Sequence, residues 1–198
     1  KFNILIITLA SLISFLSFSA SAKGKLTLYC SVEIDVCEIL VQAFEKETGI
    51  DVAMTRKSSG ETFAQIKAEA SNPKGDVWFG GTGDPHLTAA QEGLTYEYKS
   101  IHFDDLLPAA QNQAINGNYQ TVGIYVGALG FGYNKDIIAS KGLPEPKSWE
   151  DLTNPVYKGE IQIANPNSSG TAYTTLATIL QIFGEEKGWD YMKALHQN

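Results

Sequence analysis

The feature that most constrains this chain is a pattern that occurs more than once. An apolar run of strand length leads into a short loop of serine, threonine and glycine, and apolar residues at helical spacing follow. One occurrence joins the run Ile161 to Ala164, through Asn165-Pro166-Asn167-Ser168-Ser169-Gly170-Thr171, to the helical run Tyr173 to Phe183. An earlier one joins Ile50 to Met54, through Ser58-Ser59-Gly60-Glu61-Thr62, to Phe63, Ile66 and Ala70. A helix start leaves backbone N–H groups without intrahelical acceptors and carries partial positive charge, and hydroxyl side chains beside it add donors. Either loop alone is explained by a Ser/Thr cap followed by a glycine that eases the turn. Two of them on separate halves of the chain suit an anionic or hydroxyl-rich ligand held in a cleft between them.

In chain order, the alternating segment Lys25 to Tyr29 predicts a strand. It leads through Cys30 and Ser31 into a helix whose apolar face is Val36, Leu40, Ala43 and Phe44, and which Gly49 ends. The next strand is Ile50 to Met54, followed by a helix from Gly60 to about Ala70 that Asn72-Pro73-Lys74-Gly75 breaks. Asp76 to Phe79 predicts a third strand, opening into Gly80-Gly81-Thr82-Gly83. Asp84-Pro85 then predicts a cap followed by proline at the first position of a helix over Leu87 to Glu92, with Gly93 as its stop. This alternation predicts an α/β fold with a mainly parallel sheet flanked by helices, whose ligands sit at the carboxyl ends of the strands. Cys30-Ser31, Ser58 to Thr62 and Gly80 to Asp84 would then share one rim. Between Thr95 and Gln120 the periodicity is poor, with one short helical turn suggested at Asp104 to Pro108 and a turn at Asn116-Gly117-Asn118. Thr121 to Tyr133 is apolar with Gly123, Gly127, Gly130 and Gly132, and predicts an extended crossover in which glycine permits close backbone approach and hinge angles, or a central strand narrowed by packing, two readings that are compatible. A helical period through Trp189, Met192 and Leu195 runs on towards Asn198.

Residues 1–22 hold one charge, Lys1, then an apolar run from Phe2 to about Phe18 and the small-x-small string Ala20-Ser21-Ala22. This predicts a cleavable signal peptide and an exported, soluble mature chain; small and hydroxyl residues interrupt the run too often for a membrane anchor. The formal net charge is −7, from 15 basic and 22 acidic residues, and the segment that cleavage removes holds a lysine and no acid. With no basic run to track a phosphate backbone, nucleic acid is not an expected partner. Cys30 and Cys37, in a chain bound for an oxidising compartment, form a candidate disulfide. Two buried thiols are the alternative this spacing leaves open, and structural zinc lacks its short Cys pairs. His86, His102 and His196 are scattered, and we expect them as surface or helix residues rather than metal ligands. No Gly-x-Ser-x-Gly elbow and no His-Glu-x-x-His string occurs, so an enzyme is not expected; an exported hydrolase or transferase on the same scaffold is the reading from a different class. A first residue other than Met, and a helical pattern without a glycine stop at the other end, lead us to expect a chain cut within a domain.

The strings Tyr133-Asn134-Lys135-Asp136, Pro146-Lys147-Ser148-Trp149-Glu150-Asp151-Leu152, Asn154-Pro155 and Tyr157-Lys158-Gly159 resemble, in that order, the periplasmic solute-binding proteins of bacterial ABC importers. The resemblance runs from about Lys25 onward. It implies a type II binding-protein fold, two α/β lobes joined by crossing strands, with the second lobe incomplete here. The division it implies is a signal peptide over 1–22, a first lobe over 23–122, a hinge crossover over 123–132 and a partial second lobe over 133–198. Within that group the chain is similar to the branch that takes ferric iron, hexose phosphates or aminoethylphosphonate. Tyr29-Cys30-Ser31, Ser58-Ser59-Gly60 and Gly80-Gly81-Thr82-Gly83-Asp84-Pro85-His86 resemble its phosphate-compound members more closely. Ser148 and Asp151 fit a capping box and say nothing of a ligand. The resemblance therefore implies a monomeric receptor, without catalytic function or resident cofactor, that passes a small anionic solute to an inner-membrane ABC permease. Expected donors to that anion are Ser58, Ser59, Gly60 and Thr62 on one side and Ser168, Ser169, Gly170 and Thr171 on the other, with Ser31 and Thr82 secondary. The alternative is a ferric protein holding Fe3+ with a synergistic anion. Iron-binding relatives supply two adjacent tyrosines from the second lobe, and this sequence contains no Tyr-Tyr pair. A sensory rather than a transport role is compatible with the same fold.

Overall fold

The computed structural model describes residues 24–198, so the expected signal peptide lies outside the described residues. Three strands, β1 (Lys25–Cys30), β2 (Asp51–Arg56) and β3 (Val77–Phe79), form a parallel sheet in the order β2-β1-β3. Lys25 pairs with Asp51 and Leu28 with Val77, so the carboxyl ends of all three strands fall on one edge. The helices α1 (Ile34–Thr48) and α2 (Ser59–Ala68) make the crossovers, and α3 (Gly83–Gln91) follows β3. Gly49 closes α1 in the left-handed conformation, φ 71°, with its N–H donating to the Glu45 carbonyl, as expected of a glycine stop.

The disulfide forms: Cys30 at the end of β1 is bonded to Cys37 in the first turns of α1. Both half-cystines are fully buried among Leu26, Val32, Val41, Val52, Met54 and Phe79. The expected apolar face of α1 is corrected by this. Cys37 is its one buried residue, whereas Val36, Leu40 and Phe44 are 44%, 42% and 38% exposed and Ala43 is exposed. Leu40 and Phe44, with Val41, Leu26, Val52 and Val77, border an open apolar groove of about 260 Å³.

Three further expectations change. The helix after the third strand begins at Gly83, with Thr82 in the extended cap position, so Asp84 is a first-turn acid that complements the helix dipole rather than the cap. A full helix, α4 (Pro108–Asn116), follows the short turn at Phe103–Asp105, in a stretch whose periodicity is too weak to show it. The crossover from Thr121 to Tyr133 makes no ladder among the described residues. Of its glycines only Gly123 is closely approached, by Ala110, while Gly127, Gly130 and Gly132 face open space.

Beyond it lie α5 (Lys135–Ser140), two 3-10 turns at Glu150–Thr153 and Pro155–Tyr157, and the helix pair α6 (Gly170–Phe183) and α7 (Glu185–His196). Ile161 to Ala164 is not a strand, because no neighbouring segment among the described residues supplies a ladder partner. The core of this region is Ile179, Tyr191 and Leu195, packed by Trp149, Leu152, Ile161, Phe183 and Met192. On α7, Leu195 of the expected period is buried and Met192 packs beside it, whereas Trp189 is 44% exposed and Gly188 and Tyr191 complete the buried face. Gly188 lets the helices close up, since a Cβ there would sit 2.8 Å from Leu180 Cδ2 and 3.0 Å from Leu180 Cα. Burial raises the Tyr191 hydroxyl to about 12, with Glu150 adding to the shift, and the protonated phenol donates to the Trp149 carbonyl at 2.6 Å. Asp151 accepts from the Ser148 and Lys147 N–H groups, which makes the expected backbone half of the box and holds its carboxyl below the usual range.

Candidate functional site

Parallel strands put the three expected loops together. Ser31 N–H donates to the Phe79 carbonyl, and Lys57 N–H to the Cys30 carbonyl, which ties the strand ends to one another. Beneath them, Ser31 Oγ and Thr62 Oγ1 share a hydrogen bond of 3.0 Å, and Trp78 Nε1–H donates to Ser31 Oγ at 2.9 Å. Ser31 and Thr62 are buried, so these two hydroxyls satisfy one another below the rim.

Trp78 also stacks on His86, with ring centroids 3.6 Å apart. His86 Nε2–H donates to the Gly80 carbonyl at 2.8 Å; burial pulls its pKa below the ordinary value, and that carbonyl opposes the shift. His86 is thus a partly buried helix residue that holds the Gly80–Gly81 turn. Gly80 and Gly81 both take positive φ, 79° and 90°, which is where a side chain would be strained. Tyr125, from the crossover, grips the same turn: its hydroxyl accepts from Gly81 N–H and donates to the Gly81 carbonyl, both at 2.9 Å.

At the rim, α2, α3 and α6 bring their N-termini to one point. Ser58 caps α2 in a full capping box with Glu61. Ser59, 3% exposed, accepts from Thr82 N–H at 3.2 Å and so joins α2 to α3. The second serine loop reaches the first directly: the Ser168 carbonyl accepts from Gly60 N–H at 3.0 Å and from Ser58 Oγ at 2.8 Å. Ser169 caps α6, its Oγ accepting from Ala172 N–H at 3.3 Å. Gly170 is buried against Ser59 and Thr82, whereas Thr171 is exposed. Ser58, Ser59, Gly60, Ser168, Ser169 and Gly170 are therefore assembled with Thr82, while Ser31 and Thr62 lie behind them.

The donors here divide into engaged and free. The first turn of α2 already serves Glu61 and the Ser168 carbonyl, and Glu61 is held below the usual carboxylate range by the Ser58 hydroxyl first and the Ser58 N–H second. Among the described residues, Thr82 Oγ1 is the one buried side-chain polar atom without a hydrogen-bond partner. Among the described residues no group of three His, Cys, Asp or Glu side chains is placed to hold a metal ion, and no helix is long and apolar enough to cross a membrane. The signal for the Tyr125 and Trp78 contacts is weak in the sequence, since each partner lies more than forty residues away.

Residues 79–198 match the family described as bacterial extracellular solute-binding proteins, and the chain belongs to that family. It is 46% identical over 183 residues to an uncharacterized protein of Haemophilus influenzae, covering 92% of this chain and 53% of that one. The periplasmic binding protein AfuA from Actinobacillus pleuropneumoniae, solved with exogenous fructose-6-phosphate bound, superposes with a TM-score of 0.84 at 44% identity, over 89% of this chain and 56% of that one. A putative 2-aminoethylphosphonate-binding periplasmic protein of Salmonella typhimurium is 26% identical over 165 residues, 81% of this chain and 44% of that protein. The chain spans about half the length of these relatives. The α/β periplasmic-binding-protein fold expected from the sequence is the one observed.

Proposed function

We propose that the full-length protein is a periplasmic receptor that closes two lobes on a small organophosphate, a hexose phosphate or a phosphonate, and delivers it to an ABC permease in the inner membrane without turning it over. The observation that carries this is the meeting of three helix N-termini around a buried, unpartnered hydroxyl, Thr82 Oγ1. Backbone N–H groups, aligned dipoles and neutral hydroxyls stabilise a phosphoryl group at close range even on an acidic protein. The ligand named for AfuA and the phosphonate named for the Salmonella relative are of this chemical class.

The test is calorimetric titration of the full-length protein with fructose 6-phosphate and with 2-aminoethylphosphonate, followed by the same titrations of S169D. Aspartate is as good a cap as serine, so α6 keeps its start, yet it sets a negative charge where the anion would sit. We expect saturable binding to the wild type and a loss of more than about 100-fold in S169D, the scale of opposed charges at a closed interface. Unchanged affinity in S169D removes this loop from the site. Turnover of either compound, or co-purified Fe3+ in place of an organophosphate, overturns the reading.

A further inference from the structure

Two glycines at the meeting of the loops face each other's side of the junction. Gly170 is the first residue of α6 and its φ lies outside the left-handed region, so backbone conformation does not require glycine there. Helix propensity disfavours it. Space explains it: a Cβ at 170 would lie 2.6 Å from Ser59 Oγ, 2.6 Å from Thr82 Oγ1 and 2.9 Å from Thr82 Cγ2, closer than real Cβ contacts come. Gly60 is the reciprocal case, where a Cβ would lie 2.9 Å from the Ser168 carbonyl oxygen and 3.0 Å from its carbon. That same carbonyl accepts the Gly60 N–H. Each glycine is therefore the room into which the opposite loop fits.

We propose that Gly170, with Gly60 opposite, is a positioning residue for closure: a single methyl group at 170 wedges the 168–170 loop away from the 58–60 loop, weakening ligand capture while each region stays folded. The neighbours it would strike, the buried Ser59 that opens α2 and the buried Oγ1 of the α3 cap Thr82, have no long side chain to swing aside. The link to ligand capture rests on the function proposed above; the wedge itself does not.

The test uses G170A in the full-length protein, with two readouts. Amide hydrogen exchange by NMR reports the junction without any ligand: the Gly60 N–H, bonded to Ser168 in the closed arrangement, should exchange at least about tenfold faster in G170A, while Leu28 in β1 and Ile179 in α6 keep their protection. Titration with fructose 6-phosphate should show affinity at least about tenfold weaker than wild type, the scale of one overpacked methyl group. Unaltered Gly60 exchange in G170A overturns the wedge, as does a parallel loss of protection at Leu28 and Ile179, which would mean general destabilisation. Lost Gly60 protection with wild-type affinity separates the wedge from capture and overturns the positioning role. If wild-type protein fails to bind fructose 6-phosphate, the functional proposal is the part that falls, and the exchange result still decides the wedge.

Discussion

The region over 24–122 is organised by a sheet, whereas that over 133–198 is organised by a pair of helices and has no strand. Both contain apolar runs of strand length followed by a serine loop and a helix. In the first, β1 lies between β2 and β3 and each run finds its hydrogen-bonding partner within one or two crossovers. In the second, Ile161 to Ala164 has the same character and no partner, and it stays irregular. A helix satisfies its own backbone, but a strand is a relation between segments. The serine loop after Ile161 nevertheless finds its place, because α6 needs only its cap and its packing on α7.

This comparison can be broken or sharpened by variants confined to one region. The largest effect on stability is expected from I179A, which empties the fully buried centre of the helix pair and should cost about 2–5 kcal/mol. If the regions are energetically separate, urea unfolding followed by amide exchange will show α6 and α7 losing protection while β1 keeps its own. A single shared transition would mean that the junction between the serine loops welds them into one unit. The counterpart in the first region is the double variant C30A/C37A. Removing a cross-link that closes so short a loop should cost roughly 2.5 kcal/mol in the chain-entropy model, felt first in β1 and α1. A midpoint unchanged under the same denaturant would show that neither the bond nor the burial of its two sulfur atoms supports the strand end.

The smallest effect concerns pH. Glu61 has a folded-state pKa depressed below its ordinary 4.5, so its contribution is present above that value and disappears as pH falls through the lower folded one. E61Q should therefore lower the melting temperature slightly at neutral pH and flatten the acid side of the profile below about pH 4.5, where the two proteins converge. An acid limb as steep in E61Q as in the wild type would assign that slope to other carboxylates, such as Asp151 beyond the crossover or Glu69, whose carboxyls are also held low.

Most of the sheet, the serine caps and the shared rim were legible because they follow from local rules: periodicity, glycine stops and the polarity of parallel strands. The α4 helix was not, since Pro108–Asn116 buries little beyond Ala114 and so carries no apolar stripe. Nor was the exposure of Val36, Leu40 and Phe44, where periodicity marks an apolar face but cannot say whether anything covers it. In the candidate site, the residue types and loops were readable, yet the division of labour among them was not. Ser31 and Thr62 bond one another below the rim, with Trp78 donating to Ser31, and Thr82, ranked below the serines, carries the buried hydroxyl without a partner. Those roles depend on which neighbour stands within three ångströms, and periodicity holds no such information.

The Ser58 hydroxyl stands 2.7 Å from Glu61 Oε2 and 2.8 Å from the Ser168 carbonyl, yet it has one hydrogen to give. It can therefore serve either of two acceptors of comparable reach. Were the loops to part, the Ser58 O–H would donate to the carboxylate of its own helix, and the released carbonyl would turn to water. The Gly60 N–H, bonded to that same carbonyl, would turn to water as well. The contact between the loops thus rests partly on a shared hydrogen that keeps an acceptor within its own helix whether or not the loops touch.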